Sequence, residues 1–476
     1  MPIIYSKREI SMDEIAQILL LEENWLMDKK GADIKPSKFS RTVSAFANTN
    51  GGEIYIGISH AQDKTVYYWD GFRDEEAFNE YISVLSEILP TYEAYAIDAY
   101  LHPVERTWAF HITVHKTNNI IYASDKKAYV RSGVQNLPCD TTEKLLRLNL
   151  DKGLASFEDE ITQSKFDDIS ESSVLRGFIQ AVIPQTSPYD WLRKQRVMNG
   201  DAKISVAGVL LYDECPQATL PKQSGIRIVR YTTDEKEGNR ETLAGGFPIS
   251  IEGDIYSIIH KTVDKVKEIV ESSGVLGEEG TEIKKYPDVT LHELITNAVL
   301  HRDYSIHKDI QIRIFTNRIE IDSPGKLPGH ITLKNILQEQ FSRNPKIIRL
   351  ISKFPSPPNK DAGEGLNTAF RAMREMHLCF PVIEETDNSV IVTVKHERLA
   401  DAESIVLDYL DSNKTISNAI ARELTGISDA NKMKDVFIRQ KMKGILEIVP
   451  GTRSSATLWQ KTTKDYTQEY DQLTLF

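Results

Sequence analysis

The chain has 476 residues, of which 40% are hydrophobic and 27% charged. This composition excludes a disordered chain and, at roughly 150 residues per domain, predicts about three globular domains. The 58 lysines and arginines are outnumbered by 69 aspartates and glutamates, for a net charge of −11. A global basic field is therefore excluded, and any nucleic-acid contact must come from a local patch.

The three cysteines, Cys139, Cys215 and Cys379, stand far apart and form no Cys-x-x-Cys motif. This usage is typical of a reducing cytoplasm and argues against a disulfide framework or a cysteine metal site. No stretch approaches the ~20 apolar residues needed to span a bilayer, and the start of the chain does not resemble a signal peptide. We therefore expect a cytoplasmic protein without membrane association.

The first segment, residues 1–155, has an α+β pattern. Phe39, Val43 and Phe46 recur at helical spacing and predict a helix over residues 36–49. Gly51 should end that helix because glycine adopts positive φ without strain. A further helix and three strands are predicted over residues 12–21, 53–58, 108–114 and 127–131.

Charged residues precede this helix. Glu23 and Asp28 are five residues apart, and Lys30 follows. Converging carboxylates can hold a divalent metal for phosphodiester cleavage, and a lysine can steady the phosphate. The alternative is an exposed charged run, the usual fate of such a stretch.

The middle segment, residues 156–285, is interpreted as a connecting α/β region without recognisable chemistry. Its predicted elements are strands over residues 205–212 and 225–231, a helix over 255–271 and a loop over 274–280.

The third segment, residues 286–398, contains a candidate nucleotide site. Glu293, Asn297 and His301 are spaced by four, so they project from one line of a predicted helix. An amide oxygen can bind Mg²⁺ beside phosphates, and a carboxylate can orient or deprotonate water. A solvated helix face is the alternative that composition alone favours.

A predicted hairpin over residues 310–322 follows that helix. Asp322 ends its second strand and precedes a turn at Gly325. Such an acid can accept the exocyclic amine of adenine, and glycine lets the base approach the backbone.

A glycine-rich turn completes the set. Gly363 and Gly365 precede Leu366, where another helix is predicted to begin. A glycine turn at a helix N-terminus offers unpaired N–H groups to phosphate. The three elements in this order predict a nucleotide site far more strongly than a single Gly-x-Gly.

The last segment, residues 401–463, reads as three helices and a hairpin, followed by a tail over residues 464–476. Ser417 and Ser428 are predicted helix N-caps. Lys432 and Arg439 should face outward on the third helix, as a recognition helix in the major groove requires. Arg453, at the hairpin tip, could enter the neighbouring minor groove. A protein-contact module is the alternative.

Segment 286–398 resembles the divergent Bergerat-type ATPase domain, the fold shared by gyrase and histidine kinases, through the phrases HELITNAVLHRDY, DSPGKLPGHIT and SRNP. The branch it resembles occurs in bacterial transcriptional regulators and helicase-related proteins. The resemblance implies ATP and Mg²⁺ as cofactors, with Glu293 as base, Asn297 as Mg²⁺ ligand and Asp322 as adenine acceptor. It also implies that Gly325, Gly363 and Gly365 shape the pocket. Asp322 is followed by Ser-Pro-Gly where Asp-x-Gly-x-Gly is commoner.

The N-terminal segment resembles the Schlafen/AlbA-type domain. The resemblance rests on Glu23…Asp28-Lys29-Lys30, on Ser-Ala-Phe-Ala-Asn-Thr at 44–49 followed by Gly-Gly, on Gly-Ile-Ser-His at 57–60 and on Tyr-Val-Arg-Ser-Gly at 129–133.

Some animal Schlafens cleave tRNA with three acids, two of which correspond to Glu23 and Asp28. The third falls at or next to His60, which is not an acid, and Asp63 lies three residues on. The resemblance implies nucleic-acid contact, with cleavage supported by Mg²⁺ or Mn²⁺ as the alternative. Lys35, Lys38 and Arg41 could touch phosphates in either case.

The last segment resembles a winged helix, a helix-turn-helix variant. The expected fold is therefore α+β multidomain: a Schlafen/AlbA-like α+β domain, a Bergerat-type ATPase α/β sandwich and a C-terminal winged helix-turn-helix. The leading hypothesis is a DNA-binding transcriptional regulator with nucleotide as its conformational switch, assembled as a homo-oligomer. The alternatives are an ATP-controlled nuclease acting on tRNA or DNA in phage defence, and a catalytically inactive oligomeric scaffold.

Overall fold

The computed structural model describes residues 5–61, 66–89, 91–220, 223–272, 275–277, 280–282, 286–358, 365–376, 378–396, 402–425, 427, 429–449, 452 and 457–462. The chain divides into two compact units. The first comprises residues 1–372 and 381–394, and the second comprises residues 373–380 and 395–476. Within the described ranges, every helix is too short or too polar to cross a bilayer.

The first unit opens with an α+β domain around a five-stranded sheet of order β1-β6-β7-β3-β2. Its elements are β1 Ser6–Glu9, α1 Met12–Leu20, β2 Met27–Lys30, α2 Pro36–Asn48, β3 Gly52–Ile56, β4 Ile58–His60, β5 Tyr67–Trp69, α3 Asn79–Ile88, β6 Tyr95–Leu101, β7 Trp108–Val114, β8 Tyr129–Ser132, β9 Gln135–Pro138 and α4 Thr142–Asp151. Strands β1 and β6 are parallel, as are β2 and β3, and β7 runs antiparallel to both of its neighbours.

The predicted helix over residues 36–49 is confirmed as α2. Phe39, Val43 and Phe46 are fully buried in the core beneath the sheet. The helix ends where predicted, because Gly51 has φ +74° and its N–H donates to the Phe46 carbonyl at 2.9 Å. A Cβ atom on Gly51 would also lie 2.7 Å from the Val114 carbonyl oxygen, so a side chain is excluded there.

A mostly helical layer follows. Its elements are β10 Ile161–Lys165, α5 Phe166–Ile169, α6 Ser173–Val182, α7 Pro188–Lys194, β11 Lys203–Ser205, α8 Val206–Tyr212 and α9 Pro216–Thr219. The strand predicted over residues 205–212 is wrong, because this stretch forms helix α8, capped by Ser205, whose Oγ accepts from the Gly208 N–H. Every residue of α8 is buried, so no polar alternation distinguishes a helix from a strand there.

The second sheet has the order β13-β12-β16-β17-β19-β18. The elements of this region are β12 Ile226–Arg230, β13 Ile249–Ile251, α10 Ile255–Glu271, β14 Val275–Gly277, β15 Gly280–Glu282, α11 Asp288–Leu300, β16 Ile310–Ile314, β17 Arg318–Pro324, α12 Pro345–Ile351, α13 Gly365–Glu375, β18 Val382–Glu385 and β19 Ser389–Lys395. Helices α10 and α11 pack side by side against it. The sheet thus takes strands from both sides of the boundary predicted at residue 285. The loop predicted over residues 274–280 is also wrong, because β14 and β15 pair there.

Side chains alternate along the central strands of this sheet. Ile312 and Ile321 are paired in register and buried on the face that α11 covers, as is Ile319. The alternate residues of β17, Glu320 and Asp322, therefore point to the opposite face.

The described residues from 402 onward in the second unit form three helices and a three-stranded sheet of order β20-β22-β21. Its elements are α14 Ala402–Ser412, β20 Ile416–Ser417, α15 Asn418–Thr425, α16 Ala430–Met442, β21 Leu446–Ile448 and β22 Leu458–Lys461. Ser417 caps α15 as predicted, with its Oγ accepting from the Ile420 N–H at 3.2 Å. The cap of α16 is Asp429, whereas the predicted cap, Ser428, lies outside the described residues.

Candidate functional site

The predicted line of polar residues on α11 borders a cavity. Asn297 Nδ2 donates to Glu293 Oε1 at 2.9 Å, one helical turn away. His301 is the C-cap of the same helix, and its N–H donates to the Asn297 carbonyl. All three residues line the cavity. The amide of Asn297 is thereby oriented with its nitrogen toward the carboxylate, which leaves its oxygen for another partner.

The cavity has a volume of about 560 Å³ and lies between α11, the end of β17, strands β18 and β19, and the loop after β17. Most of its wall is apolar: Leu294, Ile321, Ile331, Ile336, Val390 and Val392. A largely apolar hollow of this size with a few polar groups at its edge is typical of small-molecule sites.

Asp322, predicted as the adenine acceptor, does not line this cavity. Its carboxylate lies on the other face of the sheet, where it pairs with Lys308 at 2.9 Å and Arg313 at 3.5 Å. The strand-end residue that lines the cavity is Ser323, whose Oγ donates to the Ala298 carbonyl of α11 at 2.7 Å. The prediction missed by one position, although the alternation of Ile319, Ile321 and Ser323 would have identified the inward face.

At two predicted glycines an added side chain would meet a neighbouring residue. Gly325 has φ +110°, and a Cβ atom there would lie 2.7 Å from the Asp303 Cβ. Gly365 begins helix α13, and a Cβ atom on it would overlap Glu293 Oε1. Gly365 and Leu366 line the cavity, whereas Gly363 lies outside the described residues. The Glu293 carboxylate thus occupies the helix end that was predicted to receive phosphate, where the helix dipole favours negative charge.

Further polar groups at the cavity were not predicted. Ser342 lines it, and its buried Oγ has no hydrogen-bond partner within the described part of the chain. Asn344, two residues on, donates to the carbonyls of Leu300 and Arg302, both at 2.9 Å, and so satisfies the C-terminal end of α11. Burial, with the nearby Arg343, lowers the pKa of His301 to about 4, so the imidazole is neutral at pH 7.

Glu23 and Asp28 come together in the N-terminal domain, as predicted. Lys30 Nζ lies 2.6 Å from Asp28 Oδ1 and 3.8 Å from Glu23 Oε1. Burial and the neighbouring Asp28 raise the pKa of Glu23. The Asp28 side chain is only 1% exposed, and its Oδ2 faces Arg131 at 3.4 Å.

This arrangement does not fit the predicted metal site. Each Asp28 oxygen faces a cation of the chain, where a divalent ion would need a free lone pair. His60 is exposed and stacks on Tyr67 at 3.9 Å, and Asp63 lies outside the described residues. Among the side chains that the structure describes, no three acids, histidines or cysteines are grouped to hold a metal.

The predicted phosphate contacts differ in their surroundings. Lys38 is exposed on α2, whereas Arg41 pairs with Asp125 at 3.1 Å. On α16, Lys432 is exposed, but Arg439 pairs with Glu403 at 2.9 Å. The hairpin-tip residue Arg453 lies outside the described residues.

Helix α16 buries one of its faces. Met433, Val436, Phe437 and Gln440 are all at most 3% exposed, and the first three join the core of the second unit. The basic residues are therefore left on the outer face of the helix.

Comparison with known proteins adds two family matches. Residues 23–140 match the family described as "Schlafen, AlbA_2", and residues 307–394 match "Putative ATP-dependent DNA helicase recG C-terminal". The two matches together suggest a nucleic-acid-related ATPase, and the ATPase-like domain implies the use of ATP and Mg²⁺. The two matches support a protein that contains a Schlafen/AlbA-type domain and a divergent ATPase-like domain.

The matched ATPase region begins after α11, so Glu293 and Asn297 lie outside it. No curated protein matches the chain. Among solved structures, the DIP2311 protein of Corynebacterium diphtheriae is 16% identical, with 91% of each chain covered and a TM-score of 0.41.

Proposed function

We propose that this protein binds ATP with Mg²⁺ in the cavity beside α11 and binds DNA through its winged helix, with nucleotide occupancy as a conformational switch. The observation that carries the proposal is the Glu293–Asn297 pair at the edge of an apolar cavity of about 560 Å³. Within this proposal, assembly into a homo-oligomer stays a prediction.

The residues present fit such a ligand. The apolar wall can enclose a base, and the amide oxygen of Asn297, which has no partner among the described residues, is a ligand type that Mg²⁺ accepts. Glu293 can orient a water for attack on the terminal phosphate, which ATP supplies when bound. Ser323 Oγ donates to a carbonyl, so its lone pairs can accept a base amine in place of Asp322.

Thermal melting with and without Mg²⁺-ATP tests the nucleotide site. At 100 times Kd, binding should stabilise the wild type by about 2.7 kcal/mol. Asn297→Ala should remove most of this gain. Asp322→Asn is the matched control and should keep it, because its carboxylate lies on the far side of the sheet. A wild type without any shift would favour the inactive-scaffold alternative.

The proposed DNA contact rests on charge and exposure. Helix α16 buries one face and exposes Lys432, Lys434 and Lys441 on the other. Affinity for duplex DNA should fall steeply with salt, since phosphate contacts release counterions. Lys432→Ala should weaken binding and reduce the salt slope by about one. Lys261→Ala, at an exposed position of α10, should change neither the affinity nor the salt slope. Equal losses in both variants would remove α16 from consideration.

The structure gives less support to the nuclease alternative. Lys30 and Arg131 already neutralise Asp28, so the acid pair resembles a structural charge cluster more than an open metal site.

A further inference from the structure

One wall of the cavity is held by a lysine of the N-terminal domain. Lys116 follows strand β7, and its Nζ donates to the carbonyl oxygens of Leu327 at 2.8 Å and Ile331 at 2.9 Å. Both of these residues line the cavity. A single half-buried ammonium group therefore ties together the two ends of the turn over residues 327–331.

The same turn is anchored at its middle. The Gly329 N–H donates to the Asp151 carbonyl, at the end of α4, at 3.0 Å. His330 Nδ1 lies 2.8 Å from Asn118 Oδ1. Both of these bonds come from the segment that follows β7 or from the end of α4, and His330 Nε2 also lies 3.3 Å from Glu339 Oε2.

Glu385 adds a bridge between the two domains. Its Oε1 accepts from the Leu327 N–H at 2.7 Å, and its Oε2 accepts from Asn50 Nδ2 at 2.8 Å. Leu327 is therefore held through both its carbonyl and its N–H by groups that contact the N-terminal domain.

The segment that carries Lys116 is itself rigidly placed. The Thr117 N–H donates to the Ala47 carbonyl of α2 at 3.0 Å. Lys152 Nζ donates to the carbonyls of Ala47 and Thr117, both at 2.6 Å. The lysine thus extends from a support fixed to a buried helix, which lets it hold the wall in one position.

We propose that Lys116 is a positioning residue for nucleotide binding: the Schlafen/AlbA-type domain completes the cavity by holding the 327–331 wall in its binding shape. The inference rests on the proposed binding of ATP. It implies that the ATPase-like domain alone does not form the full site, because the carbonyls of this wall would lose their donor.

Calorimetric titration with Mg²⁺-ATP tests the role of Lys116. Lys116→Met removes all three donors and should raise Kd by about tenfold, the effect of losing a charged hydrogen bond. Lys116→Arg keeps a charged donor and should bind within about threefold of the wild type. Lys144→Met, an exposed lysine of the same domain, is the control and should leave Kd unchanged.

The pH profile separates positioning from general stability. Burial lowers the pKa of Lys116 to about 8. The positive charges of Arg343 and Lys326 lower this pKa further, whereas the negative charges of Glu385 and Asp151 raise it. Burial, with Lys116 nearby, also lowers the pKa of Lys152. From pH 7 to pH 9 the wild type should therefore lose affinity as the ammonium deprotonates, whereas Lys116→Arg should not.

The outcomes are distinguishable. A wild type that fails to bind Mg²⁺-ATP overturns the proposed function itself. A wild type that binds, with Lys116→Met at the same Kd, overturns the positioning role alone. If Lys116→Met fails to fold, the pH dependence of Kd decides the question. Parallel pH profiles of Kd for the wild type and Lys116→Arg would then overturn the positioning role.

Discussion

Glu293 and Gly365 occupy adjoining space, so closely that a Cβ atom on residue 365 would overlap the Glu293 carboxylate. One residue lies in the middle of α11 and the other begins α13. The contact therefore joins the acid of the proposed site to the glycine turn that was predicted to receive phosphate.

Gly365→Ala should displace either the Glu293 side chain or the start of α13. Because the overlapping atoms are the end of the flexible Glu293 side chain, we expect that side chain to move, with little change in the free energy of unfolding and with weaker Mg²⁺-ATP binding. Chemical denaturation and calorimetric titration measure the two effects. Gly177→Ala is the control: this exposed helical glycine has open space around its Cβ position and should gain about 0.5–1 kcal/mol. Unchanged nucleotide affinity in Gly365→Ala would contradict the role given to Glu293.

Asp28→Ala should destabilise the N-terminal domain. It removes the carboxylate that faces the buried guanidinium of Arg131, and an uncompensated buried charge costs about 3–5 kcal/mol. Urea denaturation of the full chain measures the change. Asp140→Ala, which removes an exposed acid paired with Lys144, should have no measurable effect. A stable Asp28→Ala variant that has lost a metal-dependent nuclease activity would restore the metal-site interpretation.

Glu403→Gln should strengthen DNA binding. The Glu403 carboxylate pairs with Lys443 at 2.7 Å and Arg439 at 2.9 Å, and these partners lower its pKa. Removing its charge frees both cations for phosphate, so affinity for duplex DNA and the salt slope should both rise. Fluorescence anisotropy over a salt series measures this change.

The control for this gain is Glu268→Gln on α10, which changes the net charge of the chain by the same amount. An equal gain in affinity in both variants would mean that the net charge of the chain, and not the outer face of α16, determines DNA binding.

His301 should make stability depend on pH. Its pKa of about 4 lies below the ordinary value of 6.5, so between these values the unfolded chain binds a proton that the folded chain does not. Protonation therefore favours unfolding, and stability is lost as pH falls through this window. His301→Asn should show a smaller loss between pH 7 and pH 4 in urea denaturation. His307→Asn, which changes an exposed histidine, should show the same pH dependence of stability as the wild type. Identical pH dependence in all three proteins would contradict the role given to His301.

Much of the local structure could be predicted from short-range patterns. The helices around Phe39 and Asn297 follow from side chains repeating at 3.6 residues per turn, and the end of α2 follows from the positive φ of Gly51. Helix α8 was missed because all of its residues are buried, which erases the periodic signal.

The sequence by itself determined helices α2 and α11, the acid–amide pair on α11 and the glycine positions 325 and 365, because these depend on neighbouring residues and on backbone geometry. Only the tertiary structure decided that Arg131 neutralises Asp28 and that Lys116 holds the cavity wall. Each of these contacts joins residues that are far apart in the chain. Such contacts form only when the apolar surfaces of distant segments are buried against each other, which local sequence patterns do not specify.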